Sequence, residues 1–565
     1  MRKKLWAILV LTTLVASTLV GCASSPSTLT ILSITEGNVS VMKAGAASWT
    51  EAEVGMSLEV GDSIKTGDDS SAEITFFDGS TIELQAGTEI EIASLDISTD
   101  TGSTTITLEQ TIGNTISRVT KLLDPASRYE VETPTGVVAV RGSVMQVYVI
   151  EDGTTRATNL EGDIWAVAQG VELEVPEGRQ SIIRPGQPPE LIVEVTDSNL
   201  EAAIRETIDK PTGDIYASDL EGLTSLNATE KNITDLTGLE HAASLIYLDL
   251  WRNQISDISA LANLTSLIEL HLETNQISDI SPLANLTNLQ VLYLDANQIS
   301  DISPLANLTS LTRLDAGANQ ISDFSPLANL SNLAFLFLDY NGISDISAVA
   351  NLIGLTDLYL GNNQIDDISA LASLGNLTTL GLWRNQISDV SPLAGLTTLA
   401  HLELRNNHVS DISPLTGLTN LTDLGLWNNP VSDISPLANL TNLIRLDVGA
   451  TQISDIAPVA NLTNVTYLNL GSNQIGDISP LADLTNLTEL WLDGNQISDI
   501  SPLVTLTNLT ELRLQDNQIS DISPLVDNEG LSEGDQVYLN GNPLSSDSIN
   551  IYIPQLEARG VDVDY

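Results

Sequence analysis

The chain is poor in basic residues, histidine and cysteine. Its 565 residues include 22 Lys and Arg against 74 Asp and Glu, which gives a formal net charge of −52. Nucleic-acid phosphates require clustered cations, so this composition argues against DNA or RNA as a partner. The single cysteine cannot form an internal disulfide, and 4 histidines are too few for most histidine-rich metal sites. We therefore expect no metal and no other cofactor.

The first residues have the pattern of an export signal. Basic residues 2–4 precede an apolar stretch from Leu5 to Val20, which is too short for an ordinary membrane span. The stretch runs into Leu19-Val20-Gly21-Cys22, which resembles the lipobox of bacterial lipoproteins. The resemblance implies a signal peptide over residues 1–21, lipidation of Cys22, a tether over 22–28, and an exported protein that is lipid-anchored to the bacterial membrane. The alternative is a plain secretory signal with a chance cysteine.

Residues 29–192 are predicted to form an all-β domain. Alternating segments Ala72–Phe76 and Thr81–Leu84 flank Asp78-Gly79, and this arrangement is typical of a β-hairpin. Short strands separated by glycines favour a β-sandwich or a β-roll. Further strand candidates are Glu89–Ile92, Thr105–Leu108, Val144–Ile150 and Ile164–Ala168.

Several motifs of this region resemble the FecR-type domain, over roughly residues 36–185. They are Val60–Gly67, Phe77–Ser80, Thr133–Ser143 and Glu161–Ile164. In its namesake this domain is the extracytoplasmic part of a transmembrane signalling regulator. The sequence shows neither the sigma-factor-binding segment nor the transmembrane helix of that regulator, so a surface β-module is the expected role. Arg141 follows an apolar strand, and we expect a structural ion pair there or, alternatively, a ligand contact.

Residues 193–222 are predicted to cap the next domain. A Pro- and Gly-rich linker over residues 184–190 precedes them. Leu200, Ile204 and Ile208 then fall on one face of a helix over 199–208. Asp197 or Ser198 is expected to cap that helix.

Residues 223–542 repeat with a period of 22. Each unit contains Leu-x-x-Leu-x-Leu-x-x-Asn, as in Leu487 to Asn495, and the Asn recurs from Asn253 to Asn517 with Thr451 as the exception. This is the pattern of the leucine-rich repeat. The recurring Gln-Ile-Ser-Asp-Ile-Ser-Pro-Leu resembles the internalin-like bacterial class, and residues 543–565 are expected to form the C-terminal cap.

The repeat predicts its own architecture. The Leu-x-Leu segments form short strands of a curved parallel sheet on the concave side, because no unit can bury its leucines alone. The Asn side chains satisfy backbone groups at the turns. In pairs such as Ser281-Pro282, Ser is expected to be the N-cap and Pro the first residue of a short helical or 3-10 turn on the convex side. The predicted fold class is therefore multidomain: an all-β FecR-like domain followed by a leucine-rich repeat solenoid.

Variation is concentrated in four columns beside the strand leucines, which we call the concave face. The columns begin at Tyr247, Asp249, Trp251 and Arg252 and recur every 22 residues. Between residues 245 and 516 they contain every Trp, Tyr and Arg, a composition typical of binding hot spots. The alternative is cross-strand packing. Candidate ligand-binding residues are Trp251, Arg252, Tyr293, Phe335, Phe337, Tyr340, Tyr359, Trp383, Arg384, Arg405, Trp427, Trp491 and Arg513, and the two Phe are expected to cluster with Tyr340 and Tyr359.

An Asp also recurs on the return turn of each unit, from Asp257 to Asp521. Stacked carboxylates allow calcium binding, but Asp also accepts hydrogen bonds from local backbone, and we favour that second interpretation.

Together these features predict a lipid-anchored surface protein that binds a protein or a polysaccharide through the concave face. It is expected to be a monomer without catalytic activity, because the sequence contains no nucleophile elbow, phosphate loop or Cys–His pair. One alternative is an extracytoplasmic sensor, in which the FecR-like domain relays a signal to a membrane partner. Another is a passive envelope scaffold, and the aromatic and Arg columns count against it.

Overall fold

The computed structural model describes residues 29–565, except for the side chain of Thr35. The predicted signal peptide, Cys22 and the tether lie outside the described residues. The chain divides into two compact units, with the boundary between Val193 and Glu194.

The first unit consists of short β-strands. They are β1 Thr30–Glu36, β2 Val39–Met42, β3 Thr50–Glu51, β4 Ser57–Leu58, β5 Ser63–Thr66, β6 Ser71–Thr75, β7 Thr81–Leu84, β8 Glu89–Ile97, β9 Thr104–Arg118, β10 Arg128–Glu132, β11 Val137–Val140, β12 Val144–Val149, β13 Thr155–Glu161, β14 Ile164–Ala168, β15 Val171–Val175, β16 Gln180–Ile183 and β17 Pro189–Val193. The predicted hairpin joins β6 and β7, and the Asp78 carboxylate closes its turn by accepting from the Ser80 amide at 2.9 Å.

These strands form two sheets around one apolar core. One sheet has the order β4-β1-β6-β7-β9-β12-β13-β16-β17. The other has the order β3-β2-β5-β8-β9-β10-β11-β14-β15. Within residues 29–193 the pairings are antiparallel, except that β9 and β10 run parallel. Alternate residues of both sheets, among them Ile74, Ile90, Val138 and Val147, are buried in the shared core.

Strand β9 belongs to both sheets. It is much longer than the predicted Thr105–Leu108, because the chain continues through Gly113 into the other sheet instead of ending. Gly113 has a φ of +97°, and a Cβ there would overlap Thr88, so the crossing requires glycine. The buried Gln110 side chain donates to the carbonyls of Gly113 and Val147 at 2.8 and 3.1 Å. The amide thus pairs backbone groups that the crossing strand would otherwise leave unsatisfied.

The second unit begins with two short helices, in the region predicted to cap the array. Helix α1 spans Ser198–Thr207 and is followed by β18 Ile215–Tyr216 and α2 Ala217–Glu221. Asp197 is the N-cap: one carboxylate oxygen accepts from the amides of Asn199 and Leu200, and the other accepts from the Thr234 amide at 2.8 Å. One carboxylate therefore caps the helix and also fixes it to the first coil of the array.

A parallel sheet of 16 strands runs through the rest of this unit. The strands are β19 Ser225–Asn227, β20 Tyr247–Asp249, β21 Glu269–His271, β22 Val291–Tyr293, β23 Arg313–Asp315, β24 Phe335–Phe337, β25 Asp357–Tyr359, β26 Thr379–Gly381, β27 His401–Glu403, β28 Asp423–Gly425, β29 Arg445–Asp447, β30 Tyr467–Asn469, β31 Glu489–Trp491, β32 Glu511–Arg513, β33 Gln536–Tyr538 and β34 Asp562–Asp564. Successive strands pair in register one period apart, for example Leu380 with Leu402. The last strand lies in the predicted C-terminal cap, after a π-helical turn Ser548–Tyr552 and α4 Ile553–Ala558.

The recurring Asn forms a buried ladder along the array. Nδ2 of Asn385 donates to the carbonyls of Leu360 and Leu382 at 2.9 and 3.0 Å, and its Oδ1 accepts from the Ile365 amide at 3.0 Å. Asn side chains in neighbouring coils make the same bonds, so each one connects its own coil to the preceding coil. Because its hydrogen-bonding groups are paired, the polar Asn385, which is only 7% exposed, is tolerated inside the array.

The ladder is weaker at one place. The Thr451 hydroxyl lies 2.9 Å from the Val448 carbonyl and 2.6 Å from Oδ1 of Asn473. A hydroxyl group cannot also bond the amide and the carbonyl of the preceding coil, which an Asn reaches elsewhere in the ladder. In that preceding coil Pro430 occupies the position where most coils have Gln. The amide at this position normally donates to the preceding coil, as that of Gln452 does to the Val431 carbonyl at 2.8 Å, but proline has no amide proton for such a bond.

On the side opposite the strands, most coils make a 3-10 turn. The turns are Leu239–His241, Ser259–Leu261, Ser281–Asn285, Ser303–Asn307, Ser325–Asn329, Ser347–Asn351, Ser369–Ser373, Ser391–Gly395, Ser413–Gly417, Ser435–Asn439, Ala457–Asn461, Ser479–Leu481 and Ser501–Thr505, and the short helix α3 Ser523–Asp527 takes this place near the end.

The prediction of Ser as the N-cap was wrong. Ser391 is the first residue of its turn, Val390 is the N-cap, and Val390 makes no side-chain capping bond. The Asp389 carboxylate instead accepts from the Ser391 amide at 2.8 Å, which lowers the pKa of Asp389. The Asp column thus closes the outer turns, because a carboxylate two residues upstream reaches the free amide better than a Ser hydroxyl does.

Within residues 29–565 no helix is long and apolar enough to cross a membrane.

Candidate ligand-binding face of the repeat array

The strands determine which side chains reach the concave face. In a three-residue strand such as β26, the central Leu380 is buried with the other leucines, and its neighbours Thr379 and Gly381 lie on the opposite face of the sheet, where Gly381 carries no side chain. Trp383 and Arg384 follow on the same coil, and they belong to the third and fourth columns. The four columns therefore form one continuous surface along the array.

The first part of this surface, over β21 to β24, is crowded with acidic groups. Burial raises the pKa of Asp315 to about 7, and repulsion from Asp295 adds to the effect. Burial also raises the pKa of Asp295 to about 6 and raises that of Asp339. The Arg313 guanidinium lies over the Phe337 ring at 4.7 Å. A cation between aromatic rings and carboxylates offsets only part of this negative charge.

His271 has an unusual environment in the same part. Its ring nitrogens lie 2.8 Å from Glu269 and 3.3 Å from Glu273. Burial by itself lowers the pKa of His271, but the two carboxylates outweigh it and raise the pKa to about 9. His271 also stacks on Tyr293 with ring centres 4.5 Å apart. These contacts hold Tyr293 and His271 against the sheet, as cross-strand packing does.

The second part of the surface contains a groove of about 700 Å³. It spans the eight coils from β24 to β31, a length of about 34 Å at the usual strand spacing. Its lining residues are Tyr340, Tyr359, Trp383, Arg384, Glu403, Arg405, Asn406, Trp427, Asp447, Tyr467, Asn469 and Trp491.

Glycines make room for the aromatic side chains in this groove. The Trp383 indole lies across Gly361 and Gly381, and a Cβ at either position would overlap the ring. A Cβ at Gly449 would come within 2.9 Å of Cδ1 of Trp427. The groove therefore has a floor of backbone and flat-lying indole, because these coils have no side chain at the positions where others carry Tyr or Asp.

Upright aromatic rings flank this floor. Tyr359 meets the Trp383 ring edge-on at 5.9 Å and stacks on Phe337 at 4.9 Å. At the other end, Tyr467 meets Trp491 edge-on at 5.3 Å. Such contacts hold aromatic side chains in place before any ligand arrives.

Charged groups within the groove are balanced and partly buried. Arg405 donates to Glu403 at 2.6 Å, yet burial still raises the pKa of Glu403 above its usual range. Burial likewise raises the pKa of Asp447. Nε1 of Trp491 is buried and has no hydrogen-bond partner within residues 29–565. The groove thus offers carboxylate acceptors, while the Trp491 Nε1 donor is covered by the protein itself.

Three groove residues, Tyr340, Arg384 and Asn406, occupy a left-handed backbone position. Tyr340 and Arg384 have φ values of +55° and +53°, and the same column holds Asn406, Asn428 and Gly494 in other coils. Asn and Gly adopt this conformation readily, whereas a bulky residue does so at a cost. Every coil from Arg252 to Asp516 has a left-handed residue in this column, so the conformation is a property of the repeat and not of the groove alone.

The candidate residues do not all lie together. Tyr340, Tyr359, Trp383, Arg384, Arg405, Trp427 and Trp491 line the groove. Phe337 stacks on the lining residue Tyr359, and Arg513 stacks on the lining residue Trp491 at 3.9 Å. Outside its lining are Trp251, Arg252, Tyr293 and Phe335, and Arg252 forms an ion pair with Glu230.

Five lining residues are additional to the candidates: Glu403, Asn406, Asp447, Tyr467 and Asn469. The signal that could have found them was present in the sequence. Between residues 361 and 471 several positions of the second and third columns are glycine, among them Gly361, Gly381 and Gly471. These glycines lie in coils that form the groove.

The first unit has a smaller cavity of about 410 Å³ on the outer face of β10, β11 and β14. The Arg141 guanidinium lies 5.9 Å from the Trp165 ring there. The ion pair expected for Arg141 is not found in the described part of the chain, because the residue packs on an aromatic neighbour instead. Arg128 and Glu130 line the same cavity, 3.8 Å apart.

These features define a leucine-rich repeat solenoid that follows an all-β domain along the chain. The family described as Leucine Rich repeats (2 copies) matches residues 243–285, 287–329, 331–373, 375–417, 419–462 and 463–505, and the family described as FecR protein matches residues 62–164. Among solved structures, an internalin of Listeria monocytogenes is 40% identical, with a TM-score of 0.51, covering 59% of this chain and 93% of the internalin. The chain belongs to the internalin-like leucine-rich repeat proteins.

A leucine-rich repeat protein of Leptospira interrogans has the same fold at 22% identity. Its TM-score is 0.55, and the match covers 62% of this chain and 97% of that one. No curated protein sequence matches the chain.

Proposed function

We propose that the protein is a surface lipoprotein of the bacterial envelope that recognises a protein or a polysaccharide through the groove. The observation that carries this proposal is the gathering of Trp383, Trp427 and Trp491 in one groove with Arg384 and Arg405. Elsewhere the repeat varies little, so this composition is not required by the fold. Aromatic and Arg side chains dominate the energetics of binding surfaces.

The groove supports binding better than catalysis. Its carboxylates stand beside Arg405 or are buried among aromatic rings, and no nucleophile with a neighbouring base lies among its lining residues. Leucine-rich repeat and FecR families are in general not catalytic. We therefore assign recognition or adhesion, without a reaction, and we expect the protein to act as a monomer.

The envelope location rests on the lipobox at Cys22 and on the internalin-like and FecR families. Acylation of Cys22 would hold the protein to the membrane, and two or more acyl chains suffice for stable anchoring. Labelling cells with a fatty-acid probe tests this: the wild type should be labelled, and Cys22→Ser should not.

The binding proposal is tested by presenting the full-length protein with envelope proteins and polysaccharides. Trp383→Ala with Trp427→Ala should remove the bound ligand. The matched control is Trp251→Ala, because Trp251 belongs to the same column and is similarly exposed (38% against 37% for Trp427) but lies outside the groove. Equal loss in the control, or retention in the double variant, would place the binding elsewhere.

A sensor role is the second candidate, and the cavity around Arg141 and Trp165 in the FecR-like unit favours it. In this case a membrane partner would contact the first unit. With Cys22 acylated, the variant Arg141→Cys carries one free thiol for cross-linking in cells. A specific membrane protein captured at position 141, and not at Asp100→Cys on an exposed turn, would support the relay. Identical capture at both positions would refute it.

A further inference from the structure

We propose that the groove binds an extended, uncharged β-linked glycan, and this inference rests on the proposed function of the concave face. Three features of the groove support this inference: a flat aromatic floor, a regular spacing of tryptophans and a local balance of charge. Each of them fits a sugar chain better than a folded protein partner.

The floor suits the flat face of a pyranose ring. The Trp383 indole lies on Gly361 and Gly381, so one face of the ring is covered by backbone, and its plane is inclined by 69° to that of Tyr359. The other face is available to the groove that Trp383 lines. The C–H groups of a sugar ring pack against such a π-face, which carries partial negative charge.

The spacing of the indoles matches a repeating polymer. Trp383 and Trp427 belong to the same column, two coils apart. At the spacing of parallel strands this is about 10 Å, close to the length of a disaccharide in an extended β-linked chain. An extended glycan can therefore place every second ring on a tryptophan, with the intervening ring beside Arg405.

The charge of the groove differs from that of the chain. Its charged lining residues are Arg384 and Arg405 against Glu403 and Asp447, whereas the whole chain has 22 basic and 74 acidic residues. A cationic protein would be drawn to the acidic part over Asp295, Asp315 and Asp339 instead, and a polyanion would be repelled by the chain as a whole. A neutral ligand is neither attracted nor repelled by the net charge of the groove.

The polar groups around the floor suit hydroxyl groups. The side-chain amides of Asn406 and Asn469 line the groove, and their oxygens already accept from Asn428 and from the Gly471 amide. Glu403 and Asp447 offer carboxylates on the coils before and after that of Trp427. Hydroxyl groups both donate and accept, so one sugar chain can satisfy all of these groups.

The experiment uses the full chain and defined oligosaccharides in calorimetry, with intrinsic tryptophan fluorescence as a second readout. The probes are cellohexaose and chitohexaose as neutral β-linked chains, their disaccharides, maltohexaose as an α-linked control and an oligogalacturonate as an anionic control. We expect one of the β-linked hexamers to bind, its disaccharide to bind about tenfold more weakly or worse, and both controls to fail.

Variants locate the site. Trp383→Ala and, independently, Trp427→Ala should weaken the hexamer about tenfold or more, whereas Trp251→Ala should leave it unchanged. Circular dichroism of each variant checks the fold, and either tryptophan suffices if the other variant misfolds.

Each other outcome refutes the inference. If an envelope protein binds in a Trp383-dependent manner and no β-linked glycan does, the recognition function stands and the ligand class is wrong. Preference for the α-linked or anionic chain would also overturn it. If neither protein nor glycan binds the groove, the proposed function and the inference fail together.

Discussion

The buried Asn ladder and the concave face of the same coils use polar side chains in opposite ways. In the ladder every hydrogen-bonding group of Asn385 has a partner in its own coil or the preceding one. On the concave face, Asp315 and Asp447 are largely buried and form no ion pair with a cation of residues 29–565, and burial raises the pKa of both.

This difference shows which part of the repeat is selected for stability and which is free for something else. A satisfied buried amide strengthens the solenoid, while a buried carboxylate without a close counter-charge weakens it. The concave face therefore carries residues that the fold tolerates but does not need. Four substitutions test this contrast, from the largest expected effect to the smallest.

The sharpest test removes one member of the ladder. Asn385→Ala leaves the Ile365 amide buried without a partner and removes one of the two Asn donors from each of the Leu360 and Leu382 carbonyls, which keep Asn363 and Asn407. We therefore expect a loss of about 3 kcal/mol in unfolding free energy. Urea denaturation followed by circular dichroism measures it. Asn376→Ala, which loses one exposed bond to Ile353, is the control and should lose less than about 1 kcal/mol. Equal losses would break the contrast.

The second test uses pH. The pKa of Asp315 in the folded state, about 7, lies above its ordinary value of 3.8, so the folded state takes up the proton first and the array gains stability as the pH falls from about 8 towards 4. Asp315→Asn should stabilise the protein at pH 8, on the order of 2 kcal/mol, and the difference should vanish near pH 4.

The outer turn supplies the control of opposite sign. The pKa of Asp389 is lowered by the Ser391 amide, so its contribution is present at neutral pH and disappears as the pH falls through the folded-state pKa. Asp389→Asn should therefore destabilise the protein at pH 8. If the urea midpoints of both variants move in the same direction, the assignment of the two carboxylates is wrong.

A third test repairs the ladder. Thr451→Asn should add the hydrogen bonds to the preceding coil that the hydroxyl cannot make, and it should stabilise the array by about 1 kcal/mol. Thr441→Asn, on an exposed outer loop, is the control and should have no measurable effect on the urea midpoint. A destabilised T451N would mean that the coil around Pro430 has no room for the larger amide.

The smallest effect separates binding from stability at one residue. Tyr340→Asn relieves the left-handed backbone and should stabilise the protein by about 0.5–1 kcal/mol, while it weakens ligand binding by removing an aromatic ring from the groove. Ala318→Asn, at the equivalent φ of +50° outside the groove, should stabilise without changing affinity. A Tyr340 variant that gains stability and keeps full affinity would remove this residue from the site.

The array could be predicted from the sequence in far more detail than the first unit. The 22-residue period fixes the register of each strand, so the pairing of Leu380 with Leu402 can be predicted from the period alone. No local signal shows that Gly113 lets β9 cross between sheets, because the crossing depends on packing against Thr88, which is distant in sequence.

The candidate site shows the same limit. The columns identify which residues face one way, but the flat position of Trp383 depends on the missing side chains of Gly361 and Gly381 on neighbouring strands. Asp389 rather than Ser391 caps the outer turn, because the backbone geometry decides which oxygen reaches the amide. Periodicity assigns positions to a face, and it does not assign contacts within that face.

The passage of β9 through both sheets has a consequence for how the first unit opens. Neither layer can detach without pulling out a strand that the other layer needs, because residues 104–112 pair in one sheet and residues 113–118 in the other. Amide protons of both layers should therefore exchange with solvent at one common free energy, as in a single cooperative unit. The repeat array, whose coils contact only their neighbours, should instead fray from its ends and open next to Thr451 at lower energy.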